Sequence, residues 1–256
     1  MTRRTAFRFL ALLLATLGAW ALAVPAAAIV GPTIDASPFA DEVVMLLTRG
    51  PEGSGFCTGA VLAPNVVLTA AHCIRPAADM LVHYRHESGA PVIVEVAATA
   101  IHPGYRADAA AKRARSLDVA LVRTKSPLPA RFRAVEIADG PAPAPGDGVT
   151  AVGFGLTVER KPATGGALRA AHLAVREPRS AVLLWLAGAE AAGGACSGDS
   201  GGPIFAPDGR LVAVVAWTEG ASGAKCGLLT QGVLVGPLVD WIAMIRARWA
   251  SGTPAP

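Results

Sequence analysis

The sequence predicts an all-β domain, either a barrel or a sandwich, finished by one C-terminal α-helix. Short apolar runs recur at 43–47, 66–69, 92–97, 119–122, 149–154, 182–185, 211–217 and 232–235, each bounded by Gly, Pro or Asp. Many short strands separated by turn signals argue against alternating βα units. Leu238, Trp241, Ile242, Ile245 and Trp249 fall at spacings 0, 3, 4, 7 and 11 behind Pro237, the pattern of one helical face. Finally, the 256 residues are 52% hydrophobic and only 16% charged, so the chain can bury enough apolar surface to offset its conformational entropy.

The elements follow in order from the N-terminus. Residues 1–8 carry Arg3, Arg4 and Arg8 without an acid, an apolar run fills 9–24, and Pro25-Ala26-Ala27-Ala28 follows. A basic start, an apolar centre and small residues at the exit describe a secretory signal peptide spanning 1–28. The alternative, a retained membrane anchor, is disfavoured because the run is shorter than the roughly 20 residues that cross a bilayer. Arg3-Arg4 alone is a weak match to twin-arginine export. The reading places the mature protein outside the cytoplasm, secreted or periplasmic, with no membrane span once the leader is removed.

The leader also bears on charge. The whole chain has 23 basic and 19 acidic residues, a formal charge of +4, which invites a nucleic-acid partner. Removing residues 1–28 takes three arginines and no acid, leaving 20 against 19 and a net charge of +1. Nucleic acid is therefore not expected as a partner.

Cys57, Cys73, Cys196 and Cys226 all follow the leader, and an even number in an exported chain reads as two disulfides with three possible pairings. No CxxC spacing supports zinc, and His83 and His86 read as surface residues rather than a metal pair. No metal or cofactor is expected. Pro141-Ala-Pro-Ala-Pro145 reads as a stiff connector between two halves of similar β character, and 251–256 as a loose tail. Residues 106–115, with Lys112, Arg113 and Arg115, read as a solvated basic loop, the alternative being a subsite for acidic substrate residues.

Chemistry concentrates in three runs. In Cys196-Ser-Gly-Asp-Ser-Gly-Gly-Pro203 a serine sits among glycines, which lets the backbone turn tightly and aim successive N–H groups at a developing oxyanion. Gly198-Asp199-Ser200-Gly201-Gly202 also satisfies the nucleophile-elbow pattern of α/β-hydrolases, but that fold needs a histidine after the serine. His72, His83, His86, His102 and His172 all precede Ser200. In Leu68-Thr-Ala-Ala-His72-Cys73 a histidine ends an apolar strand, and in Leu117-Asp118-Val-Ala-Leu-Val122 an acid is embedded in one. A lone buried Asp costs several kcal/mol unless paired. Together they give base, orienting acid and nucleophile in the order His, Asp, Ser.

With these runs the chain resembles the trypsin/chymotrypsin-like serine endopeptidases. The resemblance runs from Ile29-Val30-Gly31 to Trp241-Ile242 and is carried by residues 69–73, His102-Pro103-Gly104-Tyr105, Asp118-Val119-Ala120-Leu121, 198–203 and Ala216-Trp217. It implies two six-stranded antiparallel β-barrels within 29–250, meeting near 135–148, with a C-terminal α-helix. It selects the pairs Cys57–Cys73 and Cys196–Cys226. It implies Ser200 as nucleophile, His72 as general base, Asp118 as its orienting acid, and the N–H groups of Gly198 and Ser200 as the oxyanion hole. It further implies that a freed Ile29 ammonium pairs with Asp199, and that Gly194, Ala195, Ala216, Trp217, Thr218 and Gly232 line the substrate pocket.

The resemblance thus implies a monomeric secreted endopeptidase acting on protein or peptide. Gly194 at the pocket floor offers no partner to a substrate Lys or Arg, and Thr218, where relatives often carry Gly, narrows the mouth. Cleavage after small or medium apolar residues is expected. Signal cleavage after Ala28 would expose Ile29 directly, whereas cleavage after Ala23 would leave a five-residue pro-segment. Ala216 replaces a serine that supports the triad acid in relatives, Pro32 replaces a glycine, and Leu186 stands where many carry another cysteine. The rival readings are a binding protein on a protease scaffold and an esterase of the same fold.

Overall fold

The computed structural model describes residues 29–51, 53–112, 114–177, 180–188 and 193–252. The expected leader 1–28 and the last four tail residues lie outside them. Twelve strands close two antiparallel barrels of six strands each. The first contains β1 (Val43–Gly50), β2 (Gly53–Ala63), β3 (Val66–Thr69), β4 (Met80–Arg85), β5 (Pro91–Ile101) and β6 (Ala120–Thr124), in the order β1-β2-β3-β6-β5-β4. The second contains β7 (Gly148–Gly153), β8 (Arg169–Arg176), β9 (Leu183–Gly188), β10 (Pro203–Phe205), β11 (Leu211–Glu219) and β12 (Leu229–Leu234), in the order β10-β11-β12-β9-β8-β7. Closure leaves neither sheet with an exposed edge.

Each apolar run of the sequence falls on one strand, to within a few residues. β2, β4, β8 and β10 lack such a run. β2 reads Gly-Ser-Gly-Phe-Cys-Thr-Gly at its start, β8 is Ala-rich, and β10 has only three residues. Their partners override those local signals: β2 is paired along its length with β1, from Val43↔Ala60 to Gly50↔Gly53, and β8 with β7 over six residues.

The apolar side chains sort into three main bodies. Val44, Leu46, Val67, Val82 and Val122 fill the first barrel, and Val149, Leu173, Leu186, Ile204 and Val215 fill the second. Between the barrels, Val66, Leu68 and Leu121 meet Val152, Phe205, Val214 and Val233 in one continuous cluster. β3 is therefore buried on both faces, with Val67 inside its barrel and Val66 and Leu68 against the other. This explains its unbroken apolar sequence.

After a short 3-10 turn at Gly236–Leu238, helix α2 (Val239–Ala250) adds Trp241, Ile242, Ile245 and Trp249 to the inter-barrel cluster. Helix α1 is a single turn, Ala109–Lys112, in the basic loop, where Lys112 pairs with Asp108. His102 meets Trp241 edge-on at 4.9 Å, so it joins the first barrel to the helix. Cys57 is joined to Cys73 and Cys196 to Cys226, at sequence separations of 16 and 30. Loops of this size are worth roughly 3 kcal/mol each in the chain-entropy account. No helix among the described residues is long and apolar enough to cross a membrane.

Candidate active site

The first barrel brings a histidine and a carboxylate together at one end of two paired strands. β3 and β6 are antiparallel with Thr69 opposite Ala120, so the chain leaving β3 and the chain entering β6 lie side by side. A 3-10 turn, Ala71–Cys73, then presents His72 to Asp118. The His72 backbone N–H donates to Asp118 Oδ1 at 2.8 Å, and the ring Nδ1 lies 2.7 Å from Asp118 Oδ2. Both carboxylate oxygens are thus held by one residue. An ionised Asp118 places the shared proton on Nδ1 and leaves Nε2 as an acceptor.

The His72 side chain is 37% exposed and that of Asp118 only 14%, so the ring is reachable while its partner is shielded. Burial, followed by the nearby Asp118 charge, raises the Tyr105 phenol. Cys57 Sγ, Cys73 Sγ and a His72 ring nitrogen cluster within 4.8 Å, but sulfurs joined as a disulfide offer no thiolate to a metal. His83 Nδ1 meets Val92 O at 2.9 Å, and His86 Nδ1 meets Ser88 Oγ at 3.1 Å.

The second barrel supplies the segment 194–202, which the first barrel ties down through Thr58. Thr58, fully buried on β2, makes four hydrogen bonds. Its N–H donates to Ser200 O at 2.8 Å, and its Oγ1 donates to Gly198 O at 2.8 Å. The same Oγ1 accepts from Phe154 N–H at 3.1 Å, while its carbonyl accepts from Thr69 Oγ1 at 2.8 Å. Cys73 Sγ lies 3.8 Å from Ser200 O, so Ser200 is seated beside the residue following His72.

Gly198 and Gly201 have φ of +99° and +79°, and a Cβ at either would overlap Phe56 or the Thr58 and Thr69 oxygens. The N–H groups of Asp199, Gly201 and Gly202 donate to Cys196 O, Val215 O and Asp199 O. Those of Gly198 and Ser200 meet no acceptor among the described residues. Two unused donors therefore flank Asp199 next to the serine.

Asp199 points inward and is 1% exposed. Oδ1 accepts from Gly155 N–H at 2.8 Å and Oδ2 from Cys196 N–H at 2.9 Å. The carboxylate lies so close to Gly153 and Gly155 that a Cβ on either would overlap it. Burial pushes its pKa up to about 7, against the pull of the two N–H groups and the Arg169 charge. Ile29 is fully buried one residue before Val30, which pairs with Gly194 through bonds of 3.0 and 2.9 Å in both directions.

The expected pocket residues are brought together except one. Gly194 and Ala195 run beside β12, Ala216 is buried, and Trp217 is 39% exposed, edge-on to Trp185 at 6.2 Å. Gly232 lies deeper along β12, where a Cβ would meet Ile204 Cδ1 (2.7 Å) and Ala213 Cβ (3.1 Å). Thr230, two residues earlier on the same strand, lies beside Gly194 and Ala195. Fully buried, its Oγ1 accepts from Ala195 N–H at 2.9 Å and lies 2.9 Å from where a Gly194 Cβ would be. Thr230 is also the cross-strand partner of Thr218, whose hydroxyl donates to Lys225 O at 2.6 Å. The sequence gives no motif for Thr58, Thr230 or Arg169, and only the repeated glycine of Gly153-Phe154-Gly155 hints at the Asp199 seat. Two grooves of about 380 and 480 Å³ lie elsewhere, under 137–143 and between Arg123, Arg246 and Trp249, and neither includes His72, Asp118 or Ser200.

The family model described as Trypsin matches residues 36–242. The chain is 30% identical over 192 residues to "Trypsin" of Saccharopolyspora erythraea, covering 67% of this chain and 79% of that one. It is 32% identical over 199 residues to "Trypsin epsilon" of Drosophila erecta, covering 68% and 72%. In structure it is similar to human heparin binding protein, with TM-score 0.70, 18% identity, 89% of this chain and all of that one covered. A scabies mite inactivated protease paralogue superposes with TM-score 0.68 at 22% identity, covering 86% and 99%. These two likenesses concern the fold alone. The chain belongs to the trypsin family.

Proposed function

We propose that the protein is an exported serine endopeptidase with His72, Asp118 and Ser200 as its catalytic residues. The observation that carries this is the His72–Asp118 clamp together with a glycine-bounded serine whose own N–H and that of Gly198 are unused donors. Ser200 Oγ attacks the scissile carbonyl carbon while His72 Nε2 takes its proton. The carbonyl electron pair moves to oxygen, and the resulting oxyanion accepts from the N–H groups of Gly198 and Ser200, each worth about 3 kcal/mol. Collapse breaks the C–N bond, and the imidazolium protonates the leaving amine. Water, deprotonated by His72, then cleaves the acyl ester and restores Ser200. Asp118 holds the Nδ1 tautomer and stabilises the imidazolium.

Residue preference follows from the wall of the pocket. Gly194 brings no charge, while Thr230 and Thr218 stand opposite each other on β12 and β11. Two branched hydroxyl side chains leave room for a small or medium apolar residue before the cut. Activation follows from the N-terminus. A β-branched residue at φ +62°, as Ile29 has, is strained by roughly 1–3 kcal/mol. Cutting the 28–29 bond removes that constraint and turns a neutral amide into an ammonium beside the Asp199 pocket. Export and signal removal would then activate the enzyme in one step.

The test is covalent labelling of the secreted protein by a fluorophosphonate. Labelling that Ser200→Ala abolishes supports the enzyme, and its absence in correctly processed protein favours a binding role on this scaffold. Amide and ester substrates compared on the labelled form separate peptidase from esterase. A peptide-library profile dominated by Arg or Lys before the cut would overturn the pocket reading. N-terminal sequencing should return Ile29, whereas a chain starting at Val24 would refute activation by export.

A further inference from the structure

The chain between β11 and β12 leaves the sheet beyond the Glu219↔Leu229 pair, and Lys225 in it makes no backbone–backbone hydrogen bond among the described residues. Both halves of its peptide are held by side chains instead. Its N–H donates to Glu159 Oε2 at 2.8 Å, and its carbonyl accepts from the Thr218 hydroxyl at 2.6 Å. Glu159, 66 positions away in sequence, is only 21% exposed, and its Oε1 faces Arg160 Nε at 3.7 Å. Its loop is held at both ends. At the base, Gly155 N–H donates to Asp199 Oδ1 and Leu156 N–H to Ser197 O, both at 2.8 Å. At the far side, Thr164 Oγ1 accepts from the N–H groups of Thr157 and Val158 at 3.3 Å and donates to Lys161 O at 2.7 Å. Leu156 packs against Cys196 and Cys226, so the roots of the two loops stay joined and Glu159 acts on their tips. Arg160, next to Glu159, has φ of +61°, and Ser222, three residues before Lys225, has φ of +54°. Non-glycine residues in this region persist where their surroundings over-determine them, and such strain gathers at functional clamps.

We propose that Glu159 sets the size of residue the pocket admits: its carboxylate pins the Lys225 peptide, and the pinned carbonyl holds the Thr218 hydroxyl, locking that branched side chain at the pocket mouth. With this latch closed, alanine and valine enter before the cut and the longer, γ-branched leucine is turned away. Without it, the Lys225 carbonyl moves off, Thr218 turns freely about χ1, and the mouth admits leucine. Glu159 touches no reacting atom. It is a positioning residue that acts through Lys225 and Thr218. This rests on the reading of the pocket given under Proposed function, and adds what fixes Thr218 in it.

The experiment uses the secreted protein as wild type, Glu159→Gln, Glu159→Ala, Thr218→Val and the Glu159→Ala/Thr218→Val double variant. Fluorophosphonate labelling of wild type first shows whether Ser200 is reactive, whatever Glu159 does. Two readouts follow: kcat and KM for peptides matched except for Ala, Val or Leu before the cut, and amide hydrogen exchange across 219–228. Glu159→Ala should raise the Leu-to-Ala ratio of kcat/KM at least ~5-fold, through a lower KM for the Leu peptide. Its kcat for the Ala peptide should stay within ~2-fold of wild type. Exchange across 219–228 should quicken ~10-fold. Glu159→Gln, whose amide oxygen still accepts from Lys225 N–H, should keep the wild-type ratio and protection. Because the effect passes through the Thr218 hydroxyl, adding Glu159→Ala to Thr218→Val should move the ratio by less than ~1.5-fold. An unchanged ratio in Glu159→Ala overturns the proposal, and so do equal losses for all three peptides, which would mark a merely structural residue. Unchanged exchange, or a full-sized shift in the Thr218→Val background, also overturns it. If wild type neither labels nor cleaves, the enzymatic reading falls, and exchange in Glu159→Ala still decides whether the latch exists.

Discussion

The two halves of the site are held in different ways. His72 and Asp118 belong to one barrel, follow β3 and precede its paired strand β6 respectively, and fix one another through two short hydrogen bonds. The serine segment 194–202 belongs to the other barrel yet is held by what it borrows: Thr58 from β2, the Val30 backbone near the chain start, and glycines that let Asp199 approach. One half is complete once its barrel closes. The other is complete only when both barrels and the N-terminal segment are in place.

The largest expected effect tests the self-contained half. Asp118→Asn should lower kcat/KM about 10⁴-fold through the wrong His72 tautomer. Its thermal midpoint should move little, as steady-state kinetics beside calorimetry would show.

Next is the buried acid of the dependent half. With its pKa near 7 when folded and 3.8 as the ordinary value, Asp199 makes the folded uncut chain bind the extra proton between about pH 4 and 7. Stability should therefore fall as pH rises through that window, by on the order of 3–5 kcal/mol from this group. Denaturant unfolding of the uncut chain should show that slope, and Asp199→Asn should remove it. In the mature chain an Ile29 ammonium favours the ionised form, and the slope should shrink.

Thr58→Val keeps the shape of the inter-barrel tie and deletes its hydroxyl, leaving Gly198 O and Phe154 N–H without their partner. A loss of about 1–3 kcal/mol is expected. It should appear as a Tm lower by roughly 3–8 °C together with slower Ser200 labelling. Stability and labelling should fall together here, unlike at Asp118. The smallest effect concerns preference: Thr230→Gly should raise kcat/KM for a larger residue before the cut, relative to Ala, by about 10-fold in a peptide-library profile.

Much of the fold was legible because β3, β6, β7 and β11 are buried enough to need an apolar sequence of their own. β2 and β8 were not, since Gly-rich and Ala-rich stretches become strands only through their neighbours. The proposed catalytic trio was legible because each member sits in a short run whose local chemistry is unusual, an acid in an apolar run above all. The pocket wall was not. Gly232 and Thr230 lie two residues apart, and the bulge between Val215 and Trp217 on the facing strand sets which pairs with Thr218.

The sequence by itself therefore determined the strand-rich class, the amphipathic terminal helix, the family and the order His72, Asp118, Ser200. All of these rest on period, burial or local motif, which a linear chain carries. The tertiary structure decided the Thr58 tie, the close seat of Asp199 against Gly153 and Gly155, the place of Thr230 and the burial of Arg169 Nη1. The first three depend on residues from 11 to 140 positions apart meeting at ångström distances, and no local pattern in the chain specifies such a meeting.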